Sequence, residues 1–204
     1  MPSLLHEKRL RLAGHRVIAG IDEAGRGPMA GPVCVAGVVL PEKFRHRVLT
    51  DSKLLVEKQR ESIYAELTEN PRIRWHCEVI EVEVIDRINI LQATWLGMRQ
   101  CALALDPKPD AVLIDGLPVR DFPVHHVAIV QGDSISYSIA AASIIAKVTR
   151  DRLMRTLAQQ FPQYGFENHK GYCTREHQAT LRVHGPCPHH RRSFAPVAQR
   201  QLDL

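Results

Sequence analysis

Short apolar runs alternate along the chain with longer apolar stripes, and the spacing inside each predicts its element. Residues 17–22 and 33–40 are apolar and β-branched, and the Gly/Pro-rich AGRGPMAGP between them predicts a strand–loop–strand unit. Residues 57–68 predict a helix through Ile63 and Leu67, whereas residues 73–82 alternate Ile73, Trp75, Cys77 and Val79 in strand fashion. Between 84 and 105, Ile85, Ile88, Leu91, Trp95, Met98, Ala102 and Leu105 recur at helical spacing until Pro107 and Pro109 end the run. Residues 111–115 (AVLID) and 125–130 (HHVAIV) are short strands on either side of the loop GLPVRDFPV.

The strongest helix signal covers residues 134–161. Ile135, Ile139, Ala142, Ala146, Thr149 and Leu153 form one stripe, and Ala140, Ala141, Ser143, Ile144 and Ile145 fill much of the remainder. A helix that is small and apolar nearly all round packs tightly against a neighbour, most simply a sheet. Strands alternating with helices predict an α/β domain with antiparallel pairing at its first two strands. Beyond Gly165 the chain reads as irregular, rich in His and Arg.

Composition narrows the class. The 204 residues, 45% hydrophobic and 24% charged, suit one soluble globular domain spanning residues 1–204. A net charge of +5 favours an acidic partner, nucleic acid first among them. Five cysteines, odd in number and without a C-x-x-C pair, predict reduced thiols in a reducing compartment. The N-terminal MPSLLHEKRLRLAGHR holds no signal-peptide core, and VCVAGVVL falls far short of the roughly 18 apolar residues of a membrane helix. The expectation is a cytoplasmic protein with no membrane contact, and nothing in the sequence demands an oligomer.

Three of the predicted strands end on acids: Asp22-Glu23, Asp115 before Gly116, and Gly132-Asp133. Strand ends are where active sites collect in open sheets. Two like charges 4 Å apart repel by about 4 kcal/mol at an effective dielectric near 20. A convergent set must therefore bind protons or cations, and all-oxygen ligands select hard ions, Mg²⁺ or Mn²⁺. Neighbouring strand residues face opposite ways, so Asp22 and Glu23 can share a site only where the strand ends or bulges, which Ala24-Gly25 permits. Taken singly, each acid also fits a plainer role: Asp133 as a helix N-cap before SISYSIAAAS, and Asp115-Gly116 as a turn.

The order GIDEAGRGPMAGPV, DSKLL, IDRINILQAT, VLIDG, QGDSISYSIAAASIIAKVTRD, HKGYCTREH, HHRRSFAPV resembles bacterial ribonuclease HII over nearly the whole chain. The resemblance implies a ribonuclease H-like mixed sheet flanked by helices, with residues from about 165 to 204 as an irregular or helical, substrate-contacting segment. It implies an endonuclease that cuts the RNA strand of RNA–DNA hybrids, including single ribonucleotides embedded in duplex DNA, leaving 5′-phosphate and 3′-hydroxyl ends. Asp22, Glu23, Asp115 and Asp133 then become catalytic ligands of two Mn²⁺ or Mg²⁺ ions, with Asp22 and Asp115 the direct ones. Gly25, Arg26 and Gly27 become the loop that grips the 2′-hydroxyl through amide and carbonyl groups. Tyr172 becomes the ring that stacks on the sugar of the following deoxynucleotide.

Lys53, Lys147, Arg150, Lys170, Arg191 and Arg192 are candidate phosphate contacts. Two positions depart from the family: Cys173 stands where glycine is frequent, and Gln131 where lysine is. With the first acid at residue 22, the extra N-terminal domain of ribonuclease HIII is not expected. Two alternatives share some of these features, a transposase or integrase on the same fold and a hybrid-binding protein without catalysis.

Two further motifs remain. Cys173, His177, His184, Cys187, His189 and His190 have loose zinc-ligand spacing, but their order fits no standard finger and zinc is not expected. Gln201-Leu202-Asp203-Leu204 resembles the QLSLF- or QLDLF-type peptide that docks on the replication sliding clamp, without its final phenylalanine.

Overall fold

The computed structural model describes residues 2–202. A five-stranded sheet runs in the order β3-β2-β1-β4-β5. Its strands are β1 (Ile18–Ala24), β2 (Val33–Val39), β3 (Arg74–Ile80), β4 (Ala111–Asp115) and β5 (His125–Ile129). β1, β2 and β3 pair antiparallel as a meander, while β4 pairs parallel to β1 and β5 parallel to β4. All five predicted strand regions are present, within a residue or two at each end.

Helices cover both faces. One layer holds α4 (Tyr137–Gln160) with α2 (Glu57–Glu69), and the other holds α3 (Val82–Ala104). Alternation along β2 divides the core: Ala36 and Val38 pack with Ala140, Ala141, Ile144 and Ile145 of α4, whereas Val35 packs with Met98, Cys101 and Ala102 of α3. The glycine at position 20 lets α4 approach this closely. A Cβ there would lie 2.2 Å from the Ser138 carbonyl carbon, a contact no side chain tolerates.

Four details depart from the sequence reading. An N-terminal helix α1 (Leu5–Leu12) precedes the first strand; its buried Glu7 accepts hydrogen bonds from the Ser136 and Ser138 hydroxyls, each at 2.7 Å. α3 is broken at Asn89, whose φ of 65° and ψ of 164° leave the helical region while its side chain accepts from the Gln92 amide and restarts the helix. α4 begins at Tyr137, capped by the Ser136 hydroxyl, while Asp133 sits in a separate 3-10 turn and caps nothing. The tail, irregular by composition alone, holds three helices: α5 (Phe166–His169), α6 (Arg175–His184) and α7 (Ala195–Leu202). Thr174 caps α6 by accepting from the His177 amide, a local signal the irregular composition conceals. Of the clamp-like terminal peptide, Asp203 and Leu204 lie outside the described residues. Among the described residues no helix is long and apolar enough to cross a membrane.

Candidate active site

The two sides of β1 do not end together. Pairing with β2 continues without interruption to Ala24↔Cys34, but pairing with β4 stops at Ile21↔Ile114. The last residues of β1 and β4 therefore border a crevice at the carboxyl ends of two parallel strands, and each contributes an acid to it. Alternation places Asp22 and Asp115 on the α4 face, since Ile21 and Ile114 both belong to the α3-facing core. Of the two expectations for Asp22-Glu23, a strand end or a bulge, the strand end is the one met, and only on the β4 side. Glu23 follows the regular alternation to the other face, and losing a β4 partner is what frees this end of the strand. Its Oε1 lies 3.3 Å from Arg26 Nη1.

The acids sense one another strongly. Asp22 is only 5% exposed, and burial, then Glu23, then Asp115 hold its carboxyl well above the usual range. Burial also raises Glu23, with Arg26 opposing and Asp115 reinforcing the shift. Asp133 is pushed up to about 6 by burial, Asp51 and Asp115, while Lys53, with Nζ 3.8 Å away, opposes. Asp115 Oδ1 accepts from the Gly132 amide at 2.6 Å, tying the end of β4 to the turn that carries Asp133. Asp51 belongs to the DSKLL motif, of which sequence reasoning used only Lys53; its side chain caps the 3-10 turn Ser52–Leu54 by accepting from the Lys53 amide at 2.9 Å.

Among the described residues no three His, Cys, Asp or Glu side chains close up into a chelating group. The acids instead form a desolvated, mutually repelling set with all-oxygen donors, and Glu23 Oε2 is buried without a hydrogen-bond partner. A hard divalent cation would relieve both defects, so the residues present fit such an ion.

Asp22 and Glu23 share a cleft of about 220 Å³ with Arg26, Gly27, Lys53 and Tyr172. Tyr172 is 47% exposed, and a Cβ on Gly27 would sit 3.7 Å from its ring. Lys147 also lines the cleft, its ammonium 2.8 Å from Asp151.

Two other cations are not where charge alone predicted. Arg191 is fully buried; its Nη2 donates to the Gly25 carbonyl at 2.6 Å, its Nη1 to the Arg26 carbonyl at 3.0 Å and its Nε to the Gly31 carbonyl at 2.9 Å. Arg150, equally buried, donates to the carbonyls of Pro32, Ala30 and Lys170 at 2.9–3.0 Å. Both guanidiniums brace the loop behind the site by donating to its carbonyls, and Arg150 also lines the cleft. Lys170 Nζ donates to the Glu167 carbonyl, outside the cleft, and the Arg192 amide is bound by Asp86 of α3. Gly25 has φ +101°, and a Cβ there would lie 2.0 Å from Arg150 Nε, so both conformation and space demand glycine.

In the His/Cys-rich tail, His177 and His190 direct ring nitrogens at each other, 3.0 Å apart. The comparisons with known proteins agree with the geometry. The family model described as Ribonuclease HII matches residues 19–197. Ribonuclease HII of Acidovorax sp. (strain JS42) is 52% identical over 201 residues, covering 97% of this chain and 94% of the relative. The fold is similar to ribonuclease H2 of Pyrococcus horikoshii OT3, with a TM-score of 0.74 at 26% identity over 92% of this chain and 98% of that one. It is also similar to the Archaeoglobus fulgidus RNase HII solved as a PCNA:RNase HII complex, with a TM-score of 0.70 at 29% identity over 82% of this chain and 88% of that one. A mixed sheet ending in convergent acids, matched along nearly its full length, means that the chain belongs to the ribonuclease HII family and is a metal-dependent endoribonuclease that degrades the RNA of RNA–DNA hybrids.

Proposed function

We propose that the cleft cuts at ribonucleotides within duplex DNA, single ones included, and that Asp22, Glu23, Asp115 and Asp133 are its catalytic acids. The observation that carries this reading is that Asp22 and Glu23 open into the same cleft as Gly25-Arg26-Gly27 and Tyr172. Asp22 and Asp115 would hold two Mn²⁺ or Mg²⁺ ions, with Glu23 and Asp133 completing the set; bound ions supply water activation and stabilisation of the leaving oxygen.

The chain's own contribution is positional. Arg191 already donates to the carbonyls of Gly25 and Arg26, so the amides of the loop are its freer groups for the substrate. Both peptides are trans, and a trans peptide points its N–H away from its carbonyl. The amides of Arg26 and Gly27 are therefore turned away from the buried guanidinium, where they donate to a ribose 2′-hydroxyl. That hydroxyl is the group that distinguishes RNA from DNA. Tyr172 stacks beside them on the following deoxynucleotide. Lys53 and Lys147 supply charge for phosphate, and Lys170 a more distant contact. The five free cysteines suit work in the cytoplasm.

The reading is tested with a DNA duplex holding one ribonucleotide, incubated with Mg²⁺ or Mn²⁺ beside EDTA and an Asp115→Asn variant. Cleavage 5′ of the ribonucleotide, lost in both controls, is the expected result. Tight binding without cleavage in any lane would favour a hybrid-binding protein. The archaeal neighbour solved with PCNA supports a clamp contact here, for which residues 201–204 are the proposed segment by their sequence; clamp binding that survives their deletion would end that proposal.

A further inference from the structure

Tyr172 is half-exposed, yet its main chain is held on both sides by histidines. Its amide donates to the His169 carbonyl at 2.9 Å, and its own carbonyl lies 2.9 Å from His177 Nδ1. His177 and His190 are both fully buried, with Nε2 atoms 3.0 Å apart. At the far end the Cys187 amide donates to His190 Nδ1 at 3.0 Å.

These contacts admit one proton arrangement. A backbone N–H can only donate, so His190 Nδ1 is the acceptor and the His190 proton sits on Nε2. That N–H points at His177 Nε2, which must accept, leaving the His177 proton on Nδ1, where it donates to the Tyr172 carbonyl. The chain runs one way, from the Cys187 amide through two neutral rings to the residue in the cleft. His169 is fixed alongside: its Nδ1 accepts from the Gly171 amide at 3.2 Å, its Nε2 faces the Tyr164 carbonyl at 2.8 Å, and its ring stacks on His177 at 4.2 Å. Burial agrees with neutrality, lowering His177 to about 4 and His190 to about 3. A proton added to either ring would set two N–H groups against each other.

We propose that His177 and His190 are positioning residues that fix Tyr172 for recognition of the ribose–deoxyribose junction, through this directed hydrogen-bond chain. The inference rests on the reading of Tyr172 as the junction-sensing group. It accounts for a feature that a metal site or an apolar core does not: two histidines buried without a carboxylate partner and aligned on a main-chain carbonyl of the cleft.

The test has two arms on the full chain. Long-range proton–nitrogen spectra of the histidine-labelled protein near pH 7 should show His190 protonated at Nε2 and His177 at Nδ1. Matching tautomers on the two rings, or a charged ring, would overturn the chain. The second arm compares His177→Asn, whose amide takes the place of Nδ1–H, with His177→Gln, whose amide reaches only the Nε2 position. The readout is kcat/KM on a single-ribonucleotide duplex divided by kcat/KM on a continuous hybrid. Loss of one hydrogen bond predicts a drop of about fivefold in that ratio for His177→Gln, carried by KM on the junction substrate, and a change within about twofold for His177→Asn. Equal effects of the two variants would refute the positioning role. Tyr172→Ala separates the two readings: an unchanged ratio there sinks junction sensing itself, while the tautomers still decide the hydrogen-bond chain.

Discussion

The acid end of the cleft and its reading end are built on opposite principles. At the acid end, buried groups lack partners: Glu23 Oε2 has none, and burial and the neighbouring acids disfavour the charged form of Asp22. At the reading end, Arg191, Arg150 and the three histidines meet carbonyls or amides at nearly every nitrogen. The difference separates two kinds of preorganisation. A site that must bind a cation stores repulsion until the cation arrives, whereas a site that must distinguish a single hydroxyl has to be rigid beforehand.

The contrast is sharpest at Arg191. Removing its guanidinium by Arg191→Met leaves buried carbonyls of the glycine loop without a donor and should lower unfolding free energy by about 3 kcal/mol or more, read by denaturant titration. Arg191→Lys should recover only part, because an ammonium cannot span the fork. A neutral Met variant would mean that the loop holds its shape unaided.

At the acid end the expected sign reverses. Asp22→Asn keeps an oxygen for the Glu23 amide and removes a buried charge, so in EDTA it should stabilise the fold by about 1 kcal/mol while abolishing cleavage. Destabilisation in EDTA would show that Asp22 is already satisfied.

The smallest effect is in pH. Asp133 has a folded pKa raised to about 6, so between the ordinary carboxylate range and 6 the folded state keeps a proton the unfolded chain has released. Its contribution to stability is therefore lost as pH rises through that window. His177 and His190 are depressed, so the unfolded chain takes up protons below about 6.5 that the folded state refuses, and their contribution is lost as pH falls. In EDTA, Asp133→Asn should make Tm rise more steeply with pH between 4 and 6.5, and Mn²⁺ should do the same to the parent chain. Parallel melting curves for parent and variant would contradict the opposed signs.

Much of this was legible in the sequence, for definite reasons. β1, β2 and α4 are written in apolar periodicity because each is buried along its length, and the acids stand out because charge is unusual at the end of such runs. The reading end was legible only in part. Charge assigns Arg150 and Arg191 to the surface, and only tertiary packing reveals that they are swallowed by a loop rich in unpaired carbonyls. Adjacency of Asp22 and Glu23 implied a strand end or a bulge, and the chain takes the first on one side only, ending its pairing with β4 before its pairing with β2. The break at Asn89 leaves the apolar spacing of α3 intact, so periodicity passes over it. The tail helices are short and polar, too brief for periodicity and recognisable only by caps such as Thr174.

Arg191 follows Gly25 by 166 residues. On a ribosome, the four proposed catalytic acids and all five strands of the sheet emerge well before the side chain that shapes the glycine loop. On the proposed assignment, a nascent or C-terminally truncated chain therefore possesses the acids without the braced loop that would recognise where to cut. Order of synthesis places discrimination last, and full competence as a nuclease arrives only with the discrimination that restrains it.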